Sequence, residues 1–225
     1  KLTAAMDEGE QFHQLVQRHF LQLPMPDDVL TQYDTKLRRW WQTFLEKGPQ
    51  IADTERPLVE MTLTVPTGGH ALLGRFDLII VGDNQLRIFD WKTSKPRSKY
   101  ELSQDWQTRL YLALAVEGRQ VFDLPHLRPE QVSMTYWYAR EPEQSVVINY
   151  TQAEHEQNWA EITALVSQID SQLSREESWL LTDDLTICVQ CPYSNYCGRF
   201  DLPELVEELL SDERQSWDDE AQWAW

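Results

Sequence analysis

The stretch Gly74–Lys92, GRFDLIIVGDNQLRIFDWK, predicts two apolar β-strands joined by a tight turn at Gly82–Asn84. Each strand carries one aspartate among hydrophobic neighbours, Asp77 in the first strand and Asp90 in the second. Because side chains alternate along a strand, Asp90 and Lys92 fall on the same face of the second strand. The hairpin therefore predicts a carboxylate and an ammonium group side by side, with a second carboxylate supplied by the neighbouring strand.

Two carboxylates beside a lysine suit metal-dependent phosphoryl chemistry. Hard divalent cations such as Mg²⁺ prefer oxygen ligands and take further ligands from substrate phosphate. The metal polarises the phosphorus and activates water, while Lys92 positions that water or neutralises developing charge. In the alternative interpretation, Asp77 and Asp90 are strand-end residues and Lys92 forms a weak surface pair. Because D-x-K is short and common, these residues alone do not decide between the two interpretations.

The composition is typical of one well-buried domain. The chain has 225 residues, of which 41% are hydrophobic, enough to form a sizeable core. No apolar run approaches the length that spans a membrane, and no secretory signal opens the sequence. We therefore expect a soluble, cytoplasmic protein with no membrane partner.

The charge of the chain is strongly negative and unevenly distributed. A net charge of -17 argues against a protein that coats DNA, because phosphate binding normally leaves a basic surface. Residues Asp201–Trp225 hold nine acidic residues and one arginine, whereas Arg87–Arg109 hold six basic and three acidic residues. Since the basic segment contains the D-x-K triplet, an acidic protein with a locally positive cleft is consistent with substrate binding at the active site alone.

Apolar periodicity predicts the elements around the hairpin. Phe12, Leu15 and Val16 recur at helical spacing and place His13 beside an apolar stripe. The pattern predicts helices over Met6–Phe20, over Asp27–Lys47 with a cap at Asp27 or Asp28, over Glu101–Glu117 and over Thr151–Leu173, and strands over Leu58–Val65, Ala71–Val81, Val132–Ala139 and Ser145–Tyr150.

The hairpin resembles that of the PD-(D/E)XK nuclease superfamily, in which an aspartate on one strand faces a (D/E)-x-K triplet on the next. Asp77 matches the first aspartate, Asp90 and Lys92 match the triplet, and Phe76 replaces the proline of the family name. The resemblance implies a restriction-endonuclease-like α/β core: a central mixed β-sheet flanked by helices, with helical additions at both ends. It also implies a nuclease that depends on Mg²⁺ or Mn²⁺.

Two further motifs resemble those of the RecB-like branch. The segment Gly9–His13 resembles its G-x-x-x-H motif, which implies that His13 binds metal together with Asp77 and Asp90. The helix alone favours a half-buried structural histidine, and only the co-occurrence with the two aspartates reverses that preference. Gln107 and Tyr111 match its Q-x-x-x-Y motif and share a helix face. There Gln107 would contact substrate or the catalytic carboxylates, and Tyr111 would stack on a base or bind a phosphate.

Glu60 lies in the strand that precedes the hairpin, where relatives often carry a glutamate. The resemblance implies that Glu60 assists the metal or orients Lys92. A glutamate on the solvent face of a strand fits the pattern equally well.

All three cysteines lie within ten residues: Cys188, Cys191 and Cys197. An odd number in an intracellular chain points to a metal or redox site. The run resembles the C-terminal part of the iron–sulfur motif in RecB-like and CRISPR-adaptation nucleases, which implies a [4Fe-4S] cluster with four cysteine ligands. The fourth cysteine is absent from this sequence. We expect it upstream of Lys1 if Lys1 is not the native start, and an incomplete site otherwise.

These resemblances imply a DNA nuclease over residues 1–200, followed by an acidic helix and tail over residues 201–225. The expected substrate is DNA with a free end or a single strand, processed in repair, recombination or a related pathway. The alternative is an inactive nuclease fold that binds DNA, a helicase or a recombination protein. A zinc-binding adaptor would explain the cysteines but not Asp77, Asp90 and Lys92.

Overall fold

The computed structural model describes residues 2–24, 33–174, 181–184, 187–188 and 191–197. Its helices are α1 (Leu2–Phe20), α2 (Thr35–Lys47), α3 (Lys99–Gln104), α4 (Trp106–Glu117), α5 (Gln152–Leu173) and α6 (Ser194–Cys197). Its strands are β1 (Arg56–Thr67), β2 (His70–Val81), β3 (Leu86–Lys92), β4 (Val132–Tyr138) and β5 (Val146–Asn149). Short 3₁₀ turns occur at Arg119–Phe122, Pro129–Gln131 and Pro142–Gln144.

The five strands form one mixed sheet in the order β1-β2-β3-β4-β5. Strands β3 and β4 are parallel, and every other neighbouring pair is antiparallel. A parallel pair needs a long crossover connection, and helices α3 and α4 lie within the connection between β3 and β4. The predicted fold class, a mixed α/β sheet flanked by helices, is confirmed.

Both faces of the central strands are buried, which explains why β2 and β3 are nearly continuous apolar runs. Side chains of α1 and α2 form one core cluster with residues of β2, β3 and β4, including Phe12, Phe44, Leu78, Trp91 and Trp137. Side chains of α4 form a second cluster with the same sheet, including Phe76, Ile79, Ile88, Leu114 and Tyr136. The sheet therefore separates two cores, one beneath α1 and α2 and one beneath α4.

Aromatic contacts hold α1 against the sheet. The Phe12 ring stacks on Trp137 with centroids 5.9 Å apart and lies edge-on to Phe44 at 6.2 Å. Phe44 of α2 in turn meets Trp91 edge-on at 5.5 Å. Such pairs add about 0.5–1.5 kcal/mol beyond burial alone. Because Phe12 precedes His13, this packing sets where the histidine lies above β3.

The regular alternation of β2 is broken at Asp77. Phe76 and Ile79 both belong to the cluster beneath α4, although residues three apart in a regular strand lie on opposite faces. The ladder of β1 and β2 omits the pair of Glu60 and Asp77, and Glu60 has the left-handed backbone angle φ = 50°. The irregularity therefore falls on two of the predicted site residues.

The predicted helix over Glu101–Glu117 is two helices separated at Asp105. That residue is extended, with φ = -62° and ψ = 137°, and its carboxylate accepts two hydrogen bonds from the Arg97 guanidinium, at 2.7 and 3.2 Å. Asp and Ser side chains that bind nearby groups compete with helical structure. The break makes Trp106 the first residue of α4 and puts Gln107 in its first turn.

The helix predicted from Asp27 is described from Thr35, with Asp34 as its N-cap: the Asp34 carboxylate accepts a hydrogen bond from the Leu37 N–H at 2.7 Å. The cap expected at Asp27 or Asp28 lies outside the described residues.

The chain divides into two compact units, Lys1–Ile169 and Asp170–Trp225. The first unit contains the whole sheet, and the second contains the cysteine motif. The acidic segment 201–225 lies outside the described residues, so the domain limits expected at residues 200 and 201 stay predictions. None of the described helices combines the length and apolar character needed to cross a membrane.

Candidate active site

The site begins where the β2–β3 ladder ends. The last paired residues are Leu78 and Phe89. Beyond this pair, β2 and β3 are joined by a hydrogen bond to the Asp77 side-chain carboxylate. Its Oδ2 accepts a hydrogen bond from the Trp91 N–H at 2.8 Å. Asp77 is thereby fixed beside β3, and its Oδ1 remains directed toward the histidine of α1.

His13 contacts both strands of the hairpin. Its Nε2 lies 3.0 Å from the Trp91 carbonyl oxygen, and its Nδ1 lies 3.4 Å from Asp77 Oδ1. Burial alone would lower the pKa of His13, but the Asp77 charge raises it above the usual value. Because a carbonyl only accepts, Nε2 carries a hydrogen, and Nδ1 is the nitrogen available to a proton or a metal ion.

Asp90 is buried, with 6% of its surface exposed, and its two oxygens have different surroundings. Oδ1 accepts a hydrogen bond from Gln107 Nε2 at 2.8 Å. Oδ2 lies 2.9 Å from Lys92 Nζ in an ion pair, and among the described residues no donor forms a regular hydrogen bond with it. Burial raises the pKa of Asp90, although Lys92 opposes the rise. An ion-paired oxygen with unused lone pairs is suited to a cation.

Lys92 is held in its charged form. Burial would lower the pKa of its ammonium group, but the attraction of Asp90 raises it above the usual value. Its Nζ also lies 5.5 Å from the centroid of the Tyr136 ring. The Tyr136 hydroxyl is hydrogen bonded to Thr108 at 2.7 Å, which fixes the ring. The ammonium group is therefore both charged and positioned.

Glu60 brings a third carboxylate to the site. Among the residues that the structure describes, His13, Glu60 and Asp77 offer metal-ligand atoms that all lie within 4.8 Å of one another. Burial and the charge of Asp77 raise the pKa of Glu60, and Arg75 opposes that rise. The pKa of Asp77 is lowered despite its burial, chiefly because His13 lies beside it. The arrangement suits a divalent cation, and it brings Glu60 rather than Asp90 closest to His13 and Asp77.

The sequence as a whole was compared with known proteins. A family model of the PD-(D/E)XK nuclease superfamily matches residues 1–198. The chain belongs to this superfamily. A search of curated proteins finds no match. The solved structure described as the crystal structure of SSO0001 matches 63% of this chain and 59% of its own, with 19% identity and a TM-score of 0.33, which is too low to support an argument.

Two residues of α4, Gln107 and Tyr111, lie beside the candidate site. Gln107 was expected to contact either the substrate or a site carboxylate, and in the structure it contacts the carboxylate of Asp90. The Tyr111 hydroxyl donates a hydrogen bond to the carbonyl oxygen of Arg75, and its ring packs on Phe76 with centroids 4.3 Å apart. Tyr111 therefore links α4 to β2. Its predicted contact with a base or a phosphate stays a prediction.

One contact of the site was not anticipated from the sequence. The Arg75 guanidinium binds Glu60, with Nε at 3.0 Å and Nη2 at 2.9 Å from the same oxygen, Oε2. The signal available was an arginine two residues before Asp77 on the same strand. An arginine in an exposed part of a strand is common, so the sequence did not distinguish it.

The cysteine motif lies in the second unit. Cys188 and Cys191 are half-buried, Cys197 is exposed, and none of the three forms a disulfide. A backbone hydrogen bond from the Cys191 N–H to the Cys188 carbonyl oxygen, 3.2 Å long, brings their main chains together. Three thiols supply three of the four ligands that a cluster requires. The iron–sulfur site stays a prediction.

Proposed function

We propose that the protein is a Mg²⁺- or Mn²⁺-dependent deoxyribonuclease that hydrolyses phosphodiester bonds in DNA with free ends or single strands. The observation that carries the proposal is the meeting of two groups at one end of the sheet. One is the set of His13, Glu60 and Asp77, and the other is the ion pair of Asp90 and Lys92. The first group suits a divalent cation, and the second places a charged lysine beside it.

The residues support hydrolysis by complementary roles. A cation bound by His13, Glu60 and Asp77, with Asp90 beside it, would polarise the phosphodiester and lower the pKa of the attacking water. Lys92 carries a proton and can neutralise charge that develops on the phosphoryl oxygens. The water oxygen forms a bond to phosphorus, one ester P–O bond breaks, and the leaving oxygen takes a proton.

Gln107 acts through Asp90. Its amide nitrogen holds Oδ1, which leaves Oδ2 directed at Lys92 and able to bind a cation. We assign Gln107 a positioning role, since in this structure it contacts a site carboxylate. Loss of that contact would let Asp90 rotate and weaken its hold on Lys92.

The RecB-like resemblance and the cysteine motif extend the proposal to a role in DNA repair, recombination or related processing. We include a [4Fe-4S] cluster bound by Cys188, Cys191, Cys197 and a fourth ligand, and a helicase or recombination protein as partner. The competing function is an inactive nuclease fold that binds DNA or such a partner. The net charge of -17 favours that alternative, whereas the ordered site residues favour the enzyme.

The test is digestion of end-labelled linear single-stranded and double-stranded DNA, beside closed circular DNA, with Mn²⁺, with Mg²⁺ or with a chelator. We expect metal-dependent loss of the linear substrates by the wild-type protein and none by Asp77→Ala. Cutting of the circles as well would assign an endonuclease. Intact DNA in every reaction would support the inactive module.

A further inference from the structure

Arg75 reaches into the site from solvent. Two of its nitrogens contact one carboxylate oxygen of Glu60, and two thirds of its own side chain is exposed, 66% compared with 17% for Glu60. The guanidinium is thus anchored on the inner side by a single oxygen and is open to solvent elsewhere. It can leave Glu60 without unpacking a core.

The Glu60 carboxylate has two competing partners. It binds Arg75, and it also belongs to the three-residue group that suits a divalent cation. Its backbone lies in the left-handed region at φ = 50°, which is unfavourable for a residue with a side chain. Strained residues of this kind concentrate at functional sites, where the surrounding structure maintains them. A cation bound to this carboxylate would repel the Arg75 guanidinium, because both are positively charged.

The backbone of Arg75 is fixed while its guanidinium is not. The carbonyl oxygen accepts the Tyr111 hydroxyl, and the next residue, Phe76, is fully buried. Released from Glu60, the guanidinium therefore stays beside the site. Its planar donors match two oxygens of a phosphate, a geometry that a lysine ammonium group does not offer.

We propose that Arg75 is a phosphate-binding residue for the DNA substrate and that Glu60 holds its guanidinium until a divalent cation takes the Glu60 carboxylate. The inference deepens the proposed function and rests on it for the identity of the substrate. Because coupling between two ligands is reciprocal, the cation raises the affinity for DNA, and DNA raises the affinity for the cation. Both effects require Arg75.

The first experiment measures Mn²⁺ binding to the full chain without DNA. The methods are isothermal titration calorimetry and electron paramagnetic resonance, in which the signal of free Mn²⁺ is lost on binding. We expect Arg75→Ala to bind Mn²⁺ about threefold to fivefold more tightly than the wild type, because an exposed ion pair no longer competes. Arg56→Ala is the matched control, since Arg56 is also a half-exposed arginine of the sheet and pairs with Asp123. Unchanged or weaker Mn²⁺ binding by Arg75→Ala would overturn the proposal.

The second experiment measures binding of a fluorescent single-stranded DNA in the Lys92→Ala background, which keeps the DNA intact, with and without Mn²⁺. We expect Mn²⁺ to tighten DNA binding and Arg75→Ala to weaken the Mn²⁺-loaded complex about tenfold, since a charge-assisted contact is lost. Arg75→Lys keeps the positive charge but lacks the planar donors of the guanidinium, and it should bind DNA with intermediate affinity. Equal DNA affinity with and without the Arg75 side chain would overturn the proposal.

The two proposals fail in different ways. Absence of cleavage by the wild type, with Mn²⁺–DNA coupling that depends on Arg75, would reject the nuclease and retain the role of Arg75. Metal-dependent cleavage, with Arg75→Ala unchanged in both binding measurements, would reject only the role of Arg75.

Discussion

The two ends of the β2–β3 hairpin each carry an arginine–glutamate pair, and the pairs differ. At the turn end, Arg87 Nη2 contacts both oxygens of Glu55, at 2.8 and 2.7 Å, and Glu55 also accepts the Ala52 N–H at 3.0 Å. The hydrogen bond from the Ala52 N–H, followed by those from Arg87, lowers the pKa of Glu55 below its usual value. At the site end, Arg75 contacts only one oxygen of Glu60, and burial raises the pKa of that carboxylate.

The comparison separates a structural pair from a functional one. Both carboxylate oxygens of Glu55 accept hydrogen bonds from donors, so this carboxylate is already satisfied within the protein. At the site end, Glu60, Asp77 and Asp90 meet, and no donor in the described part of the chain forms a regular hydrogen bond with Asp90 Oδ2. Excess buried negative charge costs stability, and it is also what attracts a cation.

The largest expected difference between the ends is in catalysis. Asp77→Asn should reduce DNA cleavage at least about 100-fold, because it removes a charge from the metal-binding group and weakens the contact to His13. Glu55→Gln should leave the cleavage rate within about twofold of the wild type, since Glu55 touches no site residue. The measurement is single-turnover cleavage of a linear DNA at saturating Mn²⁺. Equal losses in the two variants would show that the ends are not functionally distinct.

The next difference is in stability. Arg87→Ala leaves Glu55, whose side chain is only 10% exposed, without its guanidinium, and we expect a loss of about 1–3 kcal/mol. Arg75→Ala removes a largely exposed partner and should change the free energy of unfolding by less than about 1 kcal/mol. Urea unfolding of the metal-free proteins, followed by tryptophan fluorescence, measures both. A larger loss for Arg75→Ala than for Arg87→Ala would contradict the assignment of Arg87 and Glu55 as the structural pair.

The smallest expected difference is in how stability depends on pH. The folded-state pKa of Glu55 lies below the usual 4.5, so its contribution is present above that value and is lost as the pH falls through the folded-state pKa. The folded-state pKa of Glu60 lies above 4.5, so stability falls as the pH rises from about 4.5 toward that pKa and levels off above it.

The glutamine variants therefore have opposite effects. Near neutral pH, Glu55→Gln should lower the free energy of unfolding and Glu60→Gln should raise it, by up to about 1 kcal/mol in the metal-free protein. The Glu60→Gln difference should fade toward about pH 4, whereas the Glu55→Gln difference should persist there and fade only at lower pH, as the pH falls through the folded-state pKa of Glu55. Urea unfolding between about pH 4 and about pH 8 tests this. Differences of the same sign for both variants would contradict the comparison.

Much of the fold follows from periodicity along the chain. The two apolar runs of the hairpin predicted β2 and β3, and the period of two put Asp90 beside Lys92, where the structure has them 2.9 Å apart. The start of α5 follows as well: the pattern predicts a helix from Thr151, and the helix begins at Gln152, with the Glu154 N–H donating to the Thr151 hydroxyl oxygen at 3.3 Å. These features depend on neighbours in sequence or on a hairpin, which local patterns specify.

The rest depends on contacts between distant segments. The position of His13 depends on aromatic packing of α1 against residues more than seventy positions away, and no local pattern contains that information. A left-handed Glu60 has no sequence signal, because glutamate does not favour positive φ. The break at Asp105 coincides with its ion pair to Arg97, a contact that the helical pattern does not contain. The Arg75 contact was missed for the same reason.

The central claim is that Lys92 and the carboxylates around it form a catalytic site, and single-turnover DNA cleavage by Lys92→Ala tests it most directly. The wild type, Lys92→Ala and Arg87→Ala are compared with saturating Mn²⁺, after DNA binding and folding of each have been verified. We predict that Lys92→Ala binds DNA and loses at least about 100-fold in rate, while Arg87→Ala cleaves at nearly the wild-type rate. Lys92→Ala cleaving as fast as the wild type would contradict the account.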